Sequence, residues 1–393
     1  MACFEKRLSH AAFMTRAWTE ERVRGHTKAG ADGHGETLRM ALKANLIRWH
    51  RWAGLAAAAF WLVQALTGVL IVFHWEIRDA FIPGAHRQTD LAAIERTVAD
   101  LTEGSGARLG SIWTGAGAPD RYDVSITGDT PEADRSVRID GAGRILVDGD
   151  YTGPAALPGT LVLIHHNLLA GDRGSWIVGI SGVLLVTNIL FGLYIAWPKR
   201  GQWGRTLRVQ RKGPAAARHY SWHRALGLMV GIPALASITA GVLLTYSGGV
   251  ETLVRPTPIA APADAPAGKA SVGLAAAAGT ALAAYPGSTL AAVYPPDGEQ
   301  PVWQIRVTQP DEARRAYGAT RVFVSAVDGR ILARFDALDA APGRAFVDGL
   351  FPFHTGEMGG LAGRIAVAAI GVWLVTMTIV GALLWAARRR RAR

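Results

Sequence analysis

The sequence predicts a membrane α-helical protein with four transmembrane helices in two parallel repeats, each repeat carrying an α+β segment outside the membrane. Three observations lead to this fold class: four long apolar runs, a duplicated Trp-His-Arg motif and an asymmetric distribution of Lys and Arg. Half of the 393 residues are hydrophobic, 46 are Gly and the formal net charge is +11. This composition favours a membrane protein with sizeable polar parts over a nucleic-acid-binding protein.

Four runs reach the ~20 apolar residues that are needed to cross a bilayer core. They cover residues 52–73, 176–197, 224–246 and 361–387. Lys and Arg indicate the orientation, because they are enriched in cytoplasmic loops. Residues 1–51 hold 10 of them, residues 198–224 hold 8 and the residues after 387 hold 5, so that 23 of the 42 lie on one side. We therefore expect a multi-pass protein with both termini in the cytoplasm and a lipid bilayer as its surroundings.

The chain divides into eight segments on this basis. They are a disordered basic tail (1–39), helix 1 (40–74), a first outer segment (75–160), helix 2 (161–200), a cytoplasmic loop (201–218), helix 3 (219–247), a second outer segment (248–350), and helix 4 with a basic tail (351–393). The single Cys3 lies in the first tail, which excludes a disulfide framework and a Cys-ligated metal site.

Each outer segment is predicted to contain a short helix followed by strands. The first has a helical stretch at 91–101, a strand at 121–127 and a hairpin at 137–146; the second has the corresponding stretches at 272–285, 301–308 and 322–332. Alternating hydrophobicity interrupted by Gly or Asp-Gly indicates hairpins. The letters Arg-Ile-Leu occur in both hairpins, which supports an internal repeat over the whole chain.

Four histidines occupy matching positions in the two repeats. His50 and His223, each within Trp-His-Arg, begin the first and third helices. His165 and His354 precede the second and fourth helices, and the same number of residues separates them from Gly182 and Gly371 respectively. We name His50 and His223 the inner pair, and His165 and His354 the outer pair. The two members of each pair are separated by similar lengths of chain, so the repeats differ only by modest insertions.

An imidazole at the end of a membrane helix is costly unless it has a partner, which is either the headgroup layer or a metal. Haem iron with two axial imidazoles needs one His from each of two facing helices, and a four-helix bundle provides them. The two pairs therefore predict two haems, with His50, His223, His165 and His354 as axial ligands. A Trp-His-Arg motif alone is also typical of an interfacial anchor. His74, His166 and His219 have no counterpart in the other repeat and are interpreted as neighbouring or surface residues.

Glycines accompany the four histidines on the same helices. They would let flat macrocycles or neighbouring backbones approach closely, and they are Gly54, Gly68, Gly182, Gly192, Gly227, Gly241, Gly371 and Gly381. Aromatic and polar residues typical of a binding cleft lie beside the outer pair. They are Trp75, Glu76, Trp176, Phe351, Phe353, Glu357 and Met358.

These motifs together resemble the PepSY-associated transmembrane family of bacterial inner-membrane proteins. The resemblance rests on Trp-His-Arg-x-x-Gly at 49–54 and 222–227, His-x-x-Leu-Leu-x-Gly at 165–171 and Phe-His-Thr-Gly-x-x-Gly-Gly-x-x-Gly-Arg at 353–364. It covers about residues 42–390. It implies a bacterial inner (cytoplasmic) membrane location, PepSY-like periplasmic segments, and two b-type haems held by the inner and outer pairs. The family includes iron-regulated membrane proteins and ferrisiderophore reductases.

Two functional classes follow. The first is a haem-dependent oxidoreductase that passes electrons to a periplasmic ferric siderophore or other ferric chelate and releases Fe(II). The second is a non-enzymatic periplasmic binding or regulatory module that acts on a peptidase or a signalling partner. In the first class, the electron donor is expected to be external, either a cytoplasmic reductase or a quinol. This expectation rests on the lack of a Gly-x-Gly-x-x-Gly fingerprint between a strand and a helix.

Overall fold

The computed structural model of the protein describes residues 40–391, apart from 105, 116–119, 131–132, 263–264, 297–299 and 314–317. The tail 1–39, predicted to be disordered, lies outside the described residues. Helices and strands are numbered below in chain order.

Three helices are long and apolar enough to cross a membrane: α6 (Gly171–Ala196), α8 (Ala215–Thr245) and α12 (Gly360–Arg391). They match the predicted second, third and fourth helices. The predicted first helix, at 40–74, is instead a pair of helices, α1 (Met40–Ala56) and α2 (Ala58–Ile71), which meet at an angle of 65°. The bend lies shortly after Gly54, and glycine weakens a helix because it adds no side chain and loses more backbone entropy.

The membrane helices pack around one apolar core. It includes Trp61 of α2, Leu185 and Ile189 of α6, and Trp373 of α12. The indole N–H of Trp61 donates to Ser181 Oγ at 3.0 Å, and that of Trp373 donates to the Leu226 carbonyl at 3.0 Å. Both indoles are thereby satisfied away from water, as buried tryptophans require.

Short helices connect the membrane helices to the rest of the chain. They are α3 (His74–Ala80), α5 (Leu157–Asn167), α7 (Trp203–Leu207), α9 (Ser247–Val254) and α11 (Pro342–Thr355). Proline stands in the first turn of both α5 and α11, where its missing N–H costs nothing. Gly356 directly follows α11, and its φ of 80° is one that only glycine adopts readily. At the end of α5 the left-handed residues are Leu168 and Leu169.

The two outer segments form one antiparallel sheet of eight strands, which we call the sheet domain. The strand order is β4-β3-β2-β1-β5-β6-β7-β8. The strands are β1 (Arg108–Thr114), β2 (Arg121–Thr127), β3 (Arg135–Asp140), β4 (Ile145–Asp148), β5 (Thr289–Tyr294), β6 (Val302–Thr308), β7 (Thr320–Ser325) and β8 (Ile331–Phe335).

Each outer segment contains a helix and strands as predicted, but the joining of the two segments in one sheet was not predicted. Ile112 and Trp113 of β1 pair with Val293 and Ala292 of β5 and join the halves edge to edge. The strands β1 and β5 themselves were not predicted, although the strands and hairpins that follow each of them were. Joining the halves covers one edge of each, and an uncovered strand edge is prone to unwanted pairing.

One face of the sheet is covered by two helices, α4 (Leu91–Thr102) and α10 (Leu274–Ala284). Both match predicted helical stretches. Fully buried aliphatic side chains from both halves lie beneath them, among them Ile112, Val124, Val293, Ile305 and Val322. The single core explains why the two halves form one domain.

Candidate functional site

The inner pair lies where α1 and α8 face each other. The ring centres of His50 and His223 are 6.0 Å apart and the ring planes are inclined by 64°. The neighbouring tryptophans point the other way, since Trp49 is 67% exposed and Trp222 is 40% exposed. Each Trp-His-Arg motif thus places an aromatic residue on the surface of the bundle and an imidazole inside it. The tryptophans therefore fit the interpretation as interfacial anchors, and the histidines fit the interpretation as a ligand pair.

The outer pair lies on the two short helices that precede α6 and α12. His165 is in the last turn of α5 and His354 in the last turn of α11. Their ring centres are 6.5 Å apart and their planes are inclined by 30°. The structure therefore brings together both predicted pairs, although the two members of each pair lie far apart in the chain.

The spacing within each pair suits one metal atom between two imidazoles. A metal–nitrogen bond of about 2 Å, with roughly 1 Å from nitrogen to ring centre on each side, places two coaxial imidazoles about 6 Å apart. Within the part of the chain that the structure describes, no group of three or more His, Cys, Asp and Glu side chains could hold a metal ion. A bare structural ion needs about four protein ligands, whereas haem iron takes only axial ones. The two-His sites fit haem better than a bare ion.

A glycine on a neighbouring helix lies beside each of the four rings, and at three of the four an added Cβ would come closer than ordinary contact. A Cβ added at Gly192 would lie 2.9 Å from Cε1 of His50, and one at Gly68 would lie 3.1 Å from Cε1 of His165. The matching distances in the second half are 3.5 Å from Gly381 to His223 and 2.6 Å from Gly241 to His354. Each of these four glycines thus lies against one histidine ring, whereas the sequence predicted only that glycines on these helices would let a macrocycle or a neighbouring backbone approach.

The glycines allow the rings to reach backbone carbonyls one helical turn earlier. His50 Nδ1 lies 3.0 Å from the carbonyl oxygen of Asn188, one turn before Gly192. His165 Nδ1 lies 3.1 Å from that of Gln64, one turn before Gly68, and 3.2 Å from Thr67 Oγ1.

The second half repeats this arrangement. His354 Nδ1 lies 2.9 Å from the carbonyl oxygen of Ser237, one turn before Gly241. His223 faces the carbonyl of Met377, one turn before Gly381, although its Nδ1 falls short of hydrogen-bond geometry. An Nδ1–H that donates to a carbonyl leaves Nε2 as the free lone pair, which is the tautomer that a metal-ligating histidine needs.

The carbonyl partners were not identified from the sequence. A spacing shared by the two halves could have pointed to them. The glycine that lies beside an outer His follows the inner His at the same interval in both halves, from His50 to Gly68 and from His223 to Gly241.

The inner and outer pairs are well separated along the bundle. On α8, the segment from His223 to Gly241 is about 27 Å long. This length is close to the thickness of a bilayer core, which is about 30 Å.

The three unmatched histidines lie outside these two pairs. His74 Nδ1 lies 2.5 Å from the Ile71 carbonyl oxygen, and its ring lies 4.5 Å from that of Trp75. His166 is exposed, with its ring centre 6.2 Å from that of His165. His219 lies on α8 one turn before His223. His166 is thus a neighbour of the outer pair and His219 is a neighbour of the inner pair, whereas His74 contacts Ile71 and Trp75.

An ion pair and a cavity occupy corresponding places in the two halves of the chain. Arg364, at the start of α12, donates to both carboxylate oxygens of Glu76 at 2.7 and 2.8 Å and to the Val72 carbonyl at 2.6 Å. When the two halves are aligned on their histidines, Gly249 corresponds to Glu76 and Ser175 corresponds to Arg364. A cavity of about 570 Å³ lies there, lined by Asp172, Ser175, Trp176, Thr245, Tyr246, Gly248 and Gly249. The small residues Ser175 and Gly249 leave this space open, whereas the equivalent space in the other half is filled by the Arg364–Glu76 ion pair.

The residues that were expected to line one binding cleft therefore lie in different environments. Trp176 lines the cavity, whereas Glu76 is held by Arg364. Trp75 and Glu357 are buried, while Phe353 and Met358 are exposed. The residues expected to form one cleft thus lie in several different environments around the outer pair.

The comparisons with known proteins agree with the motifs and with this architecture. No curated protein matches the chain. A family model described as the PepSY-associated TM region matches residues 47–388, which include both His pairs, their four glycines and the whole sheet domain. The chain belongs to the PepSY-associated transmembrane family.

Proposed function

We propose that the protein is a di-haem transmembrane oxidoreductase, built from two parallel repeats, that passes electrons from the cytoplasmic side to a periplasmic acceptor. The observation that carries this proposal is the double His pair, with ring centres 6.0 and 6.5 Å apart within each pair. When bound, haem would supply a one-electron iron centre at each layer.

The chain's own residues would hold and tune each centre. His50 and His223 would hold the inner haem, and His165 and His354 the outer one. The carbonyls of Asn188, Gln64 and Ser237 support this role because they accept from Nδ1 and fix the ring orientation. A hydrogen bond at Nδ1 raises the basicity of Nε2 and thereby the donor strength of the ligand.

The distribution of cations supports the proposed orientation. Lys and Arg cluster before residue 52, in 198–224 and after residue 387. By the positive-inside tendency, both termini would lie in the cytoplasm of a bacterium and the sheet domain in the periplasm. A basic inner surface would also attract an acidic electron-donor protein or anionic lipid.

A ferric siderophore or a related ferric chelate is the proposed acceptor. The outer pair lies beside the sheet domain, so electrons would leave on that side. Hard-oxygen chelators bind Fe(II) much less tightly than Fe(III), and reduction would therefore release the metal. The donor would be an external reductase or a quinol.

An absorption spectrum of the detergent-purified protein, expressed with ample haem, tests the proposal. We expect a low-spin spectrum and two haems per chain, and a His74→Ala control should keep both. A chain that binds no haem would refute the oxidoreductase and favour the binding or regulatory class.

Electron transfer needs a second measurement. Protein reduced with dithionite and freed of excess reductant should be reoxidised by a ferric hydroxamate under anaerobic conditions, with Fe(II) captured by a ferrous-specific dye. Haems that stay reduced with every ferric chelate would refute the reductase role even if both haems are present.

A further inference from the structure

Two arginines in the second half of the sheet lie directly opposite each other. Arg306 on β6 pairs with Arg321 on β7. Their neighbours Ile305 and Val322 belong to the core beneath α4 and α10, so the two arginines point to the opposite face, because successive side chains alternate. Like charges directly opposite each other destabilise a sheet. The pair therefore carries a cost that a merely structural position would avoid.

The first half of the sheet has a residue pair at the position equivalent to that of the two arginines. Val124 and Ile305 occupy matching places, since each pairs with one of the two central strands, β1 and β5. The residue that follows Val124 is Ser125, and it lies opposite Ser136. An uncharged, exposed serine pair thus takes the place of the arginine pair. The arginines are specific to the second half and are not needed to form the sheet.

The arginine pair is partly enclosed by aromatic side chains. The Arg306 guanidinium lies 5.5 Å from the ring centre of Trp113, and that ring contacts Tyr294 edge to face at 5.4 Å. Arg306 Nε donates to the Gly318 carbonyl at 2.9 Å. The Nε of Arg321 is buried and makes no hydrogen bond within the described chain. A buried N–H of a charged group without an acceptor is costly and indicates a missing partner.

A third guanidinium approaches from α11. Burial lowers the pKa of Arg321, and the positive charges of Arg306 and Arg344 act in the same direction, against the carboxylate of Asp348. That carboxylate is itself held by Arg344 through bonds of 2.6 and 2.9 Å, and Glu251 lies 4.0 Å from the same arginine. The carboxylate that acts on Arg321 is thus already held by Arg344, and within the described residues Arg321 Nε keeps no acceptor.

We propose that Arg306 and Arg321 form a binding subsite for the carboxylates of a small polyanionic chelate. The planar guanidinium fork matches a carboxylate in geometry and charge, and the aromatic rings beside it can contact the carbon skeleton of the ligand. Arg344 and the outer ligand His354 both lie on α11, about 15 Å apart along its axis. The link between this subsite and iron rests on the proposed function. Within that function, the subsite would favour ferric polycarboxylates over neutral ferric hydroxamates.

Calorimetric titration with citrate tests the anion site itself. The protein is placed in nanodiscs of zwitterionic lipid and compared with Arg321→Gln, and with Arg330→Gln as a matched control, because the Arg330 side chain is 62% exposed in the same domain. We expect Arg321→Gln to weaken citrate binding about tenfold or more, Arg330→Gln to leave it unchanged, and added salt to weaken it. Arg321→Ser copies the first half of the sheet and serves if the Gln variant fails to fold.

Three results of this titration would overturn the inference. They are a wild-type protein that does not bind citrate, equal losses in Arg321→Gln and Arg330→Gln, or loss of citrate binding in nanodiscs of anionic lipid, which would assign the site to a lipid phosphate.

Reoxidation of the reduced protein separates the anion site from the proposed function. Arg321→Gln should slow reoxidation by ferric citrate and not by a neutral ferric hydroxamate. Equal slowing with both chelates would refute the preference for polycarboxylates. Citrate binding without any reoxidation would refute the reductase and leave the anion site standing.

Discussion

The contact between Gly241 and His354 allows a sharp test of the outer pair. A Cβ at Gly241 would lie 2.6 Å from Cε1 and 2.9 Å from Nδ1 of His354, whereas ordinary contacts begin at 3.4 Å. In Gly241→Ala the ring must therefore retreat by about 0.8 Å. The 2.9 Å approach of Nδ1 to the Ser237 carbonyl would be lost in the same movement, because that carbonyl belongs to the helix from which the ring is displaced.

The expected loss of affinity combines two costs. Inserting a methyl group into a packed site costs about 1–3 kcal/mol, and losing a hydrogen bond costs about 1 kcal/mol. Together they correspond to at least about 2 kcal/mol, or roughly thirtyfold weaker haem binding at the outer site. Alanine also gains about 1 kcal/mol in helix propensity over glycine, so the folded bundle should persist.

Gly381→Ala is the matched control. It adds the same methyl group beside His223, at 3.5 Å, which is an ordinary contact. The haem-to-protein ratio and low-temperature electron paramagnetic resonance of both variants should be measured after expression with limited haem. We expect the Gly241 variant to lose the outer low-spin signal and the Gly381 variant to keep both. Two haems in both variants, or equal losses in both, would refute the role assigned to the glycines.

Three further predictions address the ligands, the orientation and the sheet domain. His50→Ala should remove only the inner haem and His165→Ala only the outer one, as followed by redox titration; loss of both from either variant would contradict two independent sites. Reporter fusions at Asp129 should register in the periplasm and fusions at Gln210 in the cytoplasm, and the reverse pattern would exclude the proposed orientation. Burial raises the pKa of Tyr151, so its contribution to stability is complete below the unfolded pKa of about 10 and is lost as pH rises further. Thermal melting between about pH 8 and 11 should show a steeper loss in the wild type than in Tyr151→Phe; equal slopes would contradict this assignment.

The local elements of the fold were readable from the sequence because short-range patterns determine them. Alternating apolar residues predicted β2 and β6 nearly to the residue, and apolar runs predicted α6, α8 and α12. The bend at Ala57 was not predicted, because Gly54 was interpreted as a packing residue and neither proline nor charge marks a break in the stretch 52–63. The strands β1 and β5 were missed, although each pairs with the strand that follows it; the pairing of β1 with β5 joins distant parts of the chain and has no local sequence pattern.

For the candidate site, the amino-acid sequence was enough to pair the histidines. Matching positions in the two halves selected His50 with His223 and His165 with His354, because a repeated sequence keeps equivalent residues at equivalent places. What surrounds these rings became visible only in the folded chain. The seating of each ring on a glycine, the carbonyl that faces its Nδ1 and the opposition of Arg306 to Arg321 depend on helices and strands that meet through packing and pairing, and such meetings leave no local pattern in the chain.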